Sequence, residues 1–164
     1  MATGTLILPV QSAKISGALI STGAQIEGGS GAWKLLFDAS QRESGIWQFK
    51  LPDDYSSAPV ADLLFAMATG TGGAVALDID VMAIASGDAA GIGTASFDSV
   101  NTGSVAVAST AGYMSGLSFS LANADSMAGG DLILLRVNRA VANAGDTAVG
   151  DMELLGLNFE YTTT

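Results

Sequence analysis

Gly130-Asp-Leu-Ile-Leu-Leu-Arg-Val-Asn-Arg139, then Ala140-Val-Ala-Asn-Ala-Gly-Asp-Thr-Ala-Val-Gly150, then Asp151-Met-Glu-Leu-Leu-Gly-Leu-Asn-Phe-Glu-Tyr161 is the stretch that decides the fold. Two long apolar runs flank a connection rich in Gly, Asn and Asp. Runs of this length, bounded by turn residues, read as β-strands, and a strand apolar on nearly every position belongs inside a sheet. The pattern predicts an all-β sandwich with its last strand in the interior of a sheet.

Working outward, period-2 alternation recurs from Trp33 onward. Trp33, Leu35 and Phe37 share one face, with Lys34 and Asp38 opposite. After a polar turn over 40–44, Trp47, Phe49 and Leu51 face inward and Gln48 and Lys50 outward. Pro52-Asp53-Asp54 ends that strand, because proline lacks a ladder donor and aspartate favours turns. A strand over 62–68 leads to Gly70-Thr71-Gly72-Gly73, a hairpin signal. Val75, Leu77, Ile79 and Val81 then alternate with Ala76, Asp78 and Asp80, which reads as a half-buried strand with a solvent side. Residues 86–94 form a Gly- and Ala-rich loop. A weaker strand signal is spread over 95–98 and 103–109, a better strand spans 114–121, and 122–130 holds a helical turn ended by Gly129-Gly130. Eight strands with turns about every ten residues suit a two-sheet antiparallel jelly roll. A seven-stranded immunoglobulin-like sandwich is the competitor. A β-solenoid is disfavoured by the lack of a repeat period. No sustained 3.6-residue apolar stripe supports a helical class.

Composition narrows function. The 164 residues favour one domain and suffice for a core without staples. There is no cysteine, hence no disulfide framework or thiolate metal site, and no histidine, hence no imidazole base, ligand or pH switch. Net charge is −10, and the six basic residues are scattered. No patch can neutralise a row of phosphates, so nucleic acid is not an expected partner, and an anionic membrane would repel the chain. No apolar run is long enough to span a bilayer. The N-terminus lacks the features of a secretory signal, so synthesis in a cytoplasm is expected.

Few local patterns suggest chemistry. Asp78-Ile79-Asp80 has the spacing of a metal-holding pair, since residues i and i+2 of a strand share a face. The flanking alternation explains both as the solvent side of a strand, and a cation would need further oxygen ligands. Asp53 and Asp54 read as turn residues. Asp146 is placed to pair with Arg136 or Arg139, an exposed pair worth about 0–1 kcal/mol. Sixteen acids offer chance carboxylate pairs for glycoside hydrolysis, but nothing selects one. Gly91-Ile92-Gly93 lacks the third glycine and the βαβ context of a dinucleotide site. The expectation is a non-enzyme without cofactor or bound metal. Trp33, Phe37, Trp47, Phe49, Phe65, Phe119, Phe159 and Tyr161 are assigned to the core. Tyr55 and Tyr113 are the expected exposed, ligand-facing loop residues.

Trp47-Gln-Phe-Lys-Leu-Pro-Asp-Asp-Tyr55, together with Leu135-Arg-Val-Asn-Arg139, Gly145-Asp-Thr147 and Leu154-Leu-Gly-Leu-Asn-Phe-Glu-Tyr161, gives residues 33–161 a style that resembles the jelly-roll virion proteins of tailed bacteriophages. The resemblance implies a decoration or cement subunit on the particle exterior, often a homotrimer, docked on a major capsid or other virion protein. Its alternative is a receptor- or carbohydrate-binding module of a tail or head fibre. It carries over no catalytic residue.

Residues 1–30 read as an N-terminal arm or first strand, and 31–164 as the jelly-roll domain. Thr5 to Val10 is β-prone, and 11–31 is rich in Gly, Ser and Ala. An unpaired apolar strand is an aggregation hazard that pairing with another chain removes. Leu6, Ile7 and Leu8 are accordingly expected at intersubunit or shell contacts, with the alternative that the segment folds back as an edge strand of its own domain.

Overall fold

The computed structural model describes residues 2–16, 25–26, 33–89 and 91–164. Eleven strands lie among them: β1 Thr3–Ile7, β2 Lys14–Ser16, β3 Gln25–Ile26, β4 Trp33–Phe37, β5 Ser44–Lys50, β6 Tyr55–Met67, β7 Ala74–Ile84, β8 Asn101–Ala106, β9 Met114–Ser120, β10 Leu132–Arg139 and β11 Met152–Thr163. A 3-10 turn, Val10–Ser12, and a one-turn helix, Gly91–Thr94, complete the elements.

The strands form two antiparallel sheets. One runs β3-β4-β11-β6-β9 with β1 also on β11, and the other runs β2-β5-β10-β7-β8. From β4 to β11 the pairs are β4 with β11, β5 with β10, β6 with β9 and β7 with β8. The chain is thus a long hairpin with its tip at β7 and β8, rolled so that successive pairs fall in alternate sheets. That is the eight-stranded jelly roll expected from the alternation. The two runs of the deciding stretch become β10 and β11, each with a neighbour on both sides.

Period-2 patterning builds the core. Leu35, Phe37, Leu63, Phe65, Met152, Leu154, Leu157 and Phe159 face Trp47, Leu77, Ile79, Val81, Ile133, Leu135 and Val137 of the opposing sheet, all 2% exposed or less. An aromatic row continues toward one end: Phe49, Phe159, Tyr161 and Tyr55 have successive ring centroids 5.3, 6.1 and 5.7 Å apart. Tilted pairs at such distances add to area burial.

Several boundaries differ from the sequence reading. β6 begins at Tyr55, not near 62, although it contains Pro59. The proline is accommodated at an irregularity: Ala58 has φ 52°, and the pairing with β11 shifts register between Glu160 and Thr162. Residues 95–98 are not a strand, and 122–130 holds turns with Asp125 and Ser126 at positive φ rather than a helical turn. Asp98 instead ties these loops together, accepting the Asp125 N–H at 2.9 Å and the Ser99 N–H at 2.6 Å. Those bonds hold its carboxyl below the usual range. Because the folded value is depressed, the contribution of Asp98 to stability is present above the unfolded aspartate pKa, about 3.9, and is lost as pH falls through the folded value. An NMR titration is expected to place the Asp98 midpoint below that of a free aspartate, and a midpoint at or above it would refute the assignment.

The Gly70–Gly73 segment is not a hairpin. It carries the chain from β6 in one sheet to β7 in the other. Two of its glycines, Gly70 and Gly73, are needed for a close approach: Gly73 has φ +86°, and a Cβ there would lie 2.7 Å from the Thr147 carbonyl oxygen. Gly73→Ala is expected to lower stability by at least about 2 kcal/mol, from left-handed strain plus the clash, read as a shifted urea midpoint.

The N-terminal segment is no free arm among the described residues. β1 pairs with β11 from Thr3↔Thr162 to Ile7↔Asn158, and Leu8 and Val10 join the core. This is the fold-back alternative. Its physical reason is that β4 covers only the first part of β11, which leaves an apolar edge for β1 to complete. The 3-10 turn then carries the chain to β2 on the other sheet, so 3–16 bridges both layers.

Candidate functional site

A cleft opens where two strands share one edge of β11. β4 takes Met152–Leu154 and β1 takes Asn158–Thr162, so the stretch between them lies at a splice. The last ladder bond on the β1 side runs from the Leu8 N–H to the Leu157 carbonyl at 2.9 Å. Pro9, with no N–H, ends the ladder there and turns the chain out of the sheet. The register between β6 and β11 also shifts between Leu154 and Gly156. The result is a cavity of about 430 Å³ floored by 155–158 and walled by residues 7–11, Trp33 and Met114. That volume is within the range of small-ligand sites.

The cleft is apolar with few polar groups. Trp33 is 42% exposed and Met114 and Ile7 more so. Among the described residues, Gln11 and Asn158 supply the amide side chains of the wall and floor, and no described lining residue is charged. Nearby, Lys34 and Glu153 close an ion pair at 2.6 Å.

Trp33 is the residue the alternation misplaced. By parity with Leu35 and Phe37 it belongs to the core, but it is the first residue of β4. Its position directly after Gly28-Gly29-Ser30-Gly31-Ala32 was the available signal. Lys34, expected outward, is buried against Glu153.

The other expected site residues are dispersed. Leu8 is in the core and also lines the cleft, Leu6 packs against the core, and Ile7 is exposed at the cleft. Tyr55 is half-buried beside Tyr161, and burial raises its phenol pKa. Tyr161 donates to Asp54 at 3.1 Å. Its own pKa is raised by burial and then by Asp54. Tyr113 is exposed, as expected, in the turn before β9. The structure does not bring Tyr55 and Tyr113 into the cleft.

Asp78 and Asp80 are not on a solvent side. Both are buried, because the outer face of β7 is covered as well. Asp78 accepts from Arg42 at 2.6 Å and Thr102 at 2.7 Å. Asp80 accepts from Arg136 at 2.8 Å and Asn138 at 3.1 Å. The Arg136 guanidinium in turn lies 4.0 Å from the centroid of the Phe97 ring. The pair is therefore committed to two guanidinium groups. Among the described residues no group of three acidic side chains is placed to hold a metal ion. Asp146 does pair with Arg139, but the bridge is buried, not exposed. Arg139 Nε and Nη2 donate to its two oxygens at 3.0 and 2.9 Å.

No family model and no curated protein matches the chain. Among solved structures, the C-terminal CBM6 of LamC, a laminarinase from Zobellia galactanivorans, superposes with a TM-score of 0.50 at 12% identity, over 97% of this chain and all of that one. A family 35 carbohydrate-binding module from Clostridium thermocellum gives 0.47 at 14% identity, covering 95% of this chain and 97% of that one. TmCBM61, solved with β-1,4-galactotriose, gives 0.47 at 10% identity, covering 93% and 90%. At 12% identity the likeness to the LamC module is one of fold.

Proposed function

We propose that this chain is a non-catalytic recognition module, a β-sandwich that holds a carbohydrate or receptor ligand in the cleft beside Trp33. The observation that carries the reading is an exposed indole at the wall of an apolar cleft of about 430 Å³. The shared fold with a carbohydrate-binding module of a laminarinase supports it. The lack of histidine and cysteine, and the engagement of Asp78, Asp80 and Asp146 by arginines, support a non-catalytic role. Glycan-array binding by the intact chain, lost in Trp33→Ala while the thermal transition is retained, is the expected result. Glycan depolymerisation that disappears on changing one acidic residue would overturn the non-catalytic part.

A second reading keeps the chain on the exterior of a tailed-phage particle as a homo-oligomer: a decoration subunit or fibre module docked on a capsid or other virion protein. It is favoured by Ile7, Leu64 and Met114, all exposed on the outer face of the six-stranded sheet. Light scattering of the purified chain, together with immunolabelling of particles, tests it. A monomer absent from particles would sink it.

A further inference from the structure

We propose that the Trp33 cleft selects an uncharged glycan, an inference that rests on the recognition reading above. A sugar ring has an apolar C–H face and a hydroxyl edge. The cleft offers one surface for each: the indole of Trp33 with its aliphatic neighbours, and the amides of Gln11 and Asn158. An amide carries both donors and an acceptor, so it matches a hydroxyl, which is itself both.

Charge decides the rest. A carboxylate or sulfate entering the cleft would leave water without meeting a cation among the described lining residues, which is costly for any ion. The nearby lysine does not supply one, because Lys34 is buried with Glu153 at 2.6 Å. On the same outer face, Asn158 stands opposite Asp62 across the β11–β6 ladder. The chain as a whole carries −10. Polyanionic glycans are therefore disfavoured both within the cleft and on approach to it. A cationic sugar would find no carboxylate among the described lining residues.

The test is affinity electrophoresis and calorimetry of the full chain against neutral β-glucan, galactan and mannan, anionic alginate and polygalacturonate, and cationic chitosan. Binding to at least one neutral polymer is expected, changing no more than about twofold between low salt and about 0.5 M salt, since no ion pair is involved. Trp33→Ala is expected to abolish it and Trp33→Phe to restore part of it. Gln11→Glu, at an exposed position, is expected to weaken it without altering the thermal transition. Binding confined to charged polymers, or falling steeply with salt, overturns the inference while leaving a recognition module. Neutral binding that survives both Trp33→Ala and Gln11→Glu overturns the assignment to this cleft. No binding to any polymer, with none on a glycan array, overturns the recognition reading itself.

Discussion

Replacing Arg139 by Met is expected to cost the fold about 3–5 kcal/mol, the scale for removing one partner of a buried ion pair. The guanidinium is fully buried and the Asp146 side chain is 4% exposed. Besides the two-pronged bond to Asp146, Arg139 donates to the carbonyls of Gly150 at 2.6 Å and Ala148 at 2.9 Å. One side chain thus holds the whole β10–β11 connection against the end of the sandwich. Its loss strands a buried carboxylate and two carbonyls. Urea unfolding followed by tryptophan fluorescence measures the effect. The double variant Arg139→Met, Asp146→Leu is expected to recover part of the loss, because the uncompensated charge goes with its partner. A single-variant loss below about 1 kcal/mol, the scale of an exposed pair, would show that the bridge is not buried in solution.

Removing residues 1–13 is expected to abolish cooperative unfolding. The deletion takes away Leu8 and Val10, each worth about 1.5–3 kcal/mol of burial. It also takes away the Pro9 carbonyl that accepts the Trp47 indole N–H at 2.9 Å. Trp47 is 1% exposed, so its donor would be left buried and unpaired, at a cost of about 1–3 kcal/mol. The uncovered edge of β11 adds lost ladder bonds. Together these are comparable with the whole stability of an ordinary domain, about 5–15 kcal/mol. Dye binding to exposed apolar surface and a flattened melting curve are the expected signs. A truncated chain that melts as sharply as the intact one and loses only self-association would restore the free-arm reading.

The alternation of Val75, Leu77, Ile79 and Val81, and the unbroken apolar runs of β10 and β11, were enough to define strands, core faces and an eight-stranded jelly roll. Side-chain period along a strand is a local property, so it can be read without knowing the neighbours. The same local reading erred wherever the second face of a strand mattered. Asp78 and Asp80 look solvent-facing by alternation, yet they are buried because Arg42 and Arg136 cover them from other segments. The two arginines lie 36 and 56 residues away in the chain. Gly70–Gly73 reads as a hairpin because turn chemistry says that the chain reverses, but not in which sheet it continues.

What the amino-acid order determined by itself was the class: an acidic all-β sandwich without imidazole or thiol chemistry, its core positions marked by period two. Tertiary structure alone decided the fate of the N-terminal segment and the place of the site. Residues 3–10 join the domain, with Leu8 and Val10 in its core, because β4 leaves part of β11 uncovered, and Trp33 becomes a cleft wall because β1 and β4 meet on one edge. Both outcomes depend on which strands share an edge. That is settled by contacts between residues more than a hundred positions apart, and no local pattern in the chain encodes it.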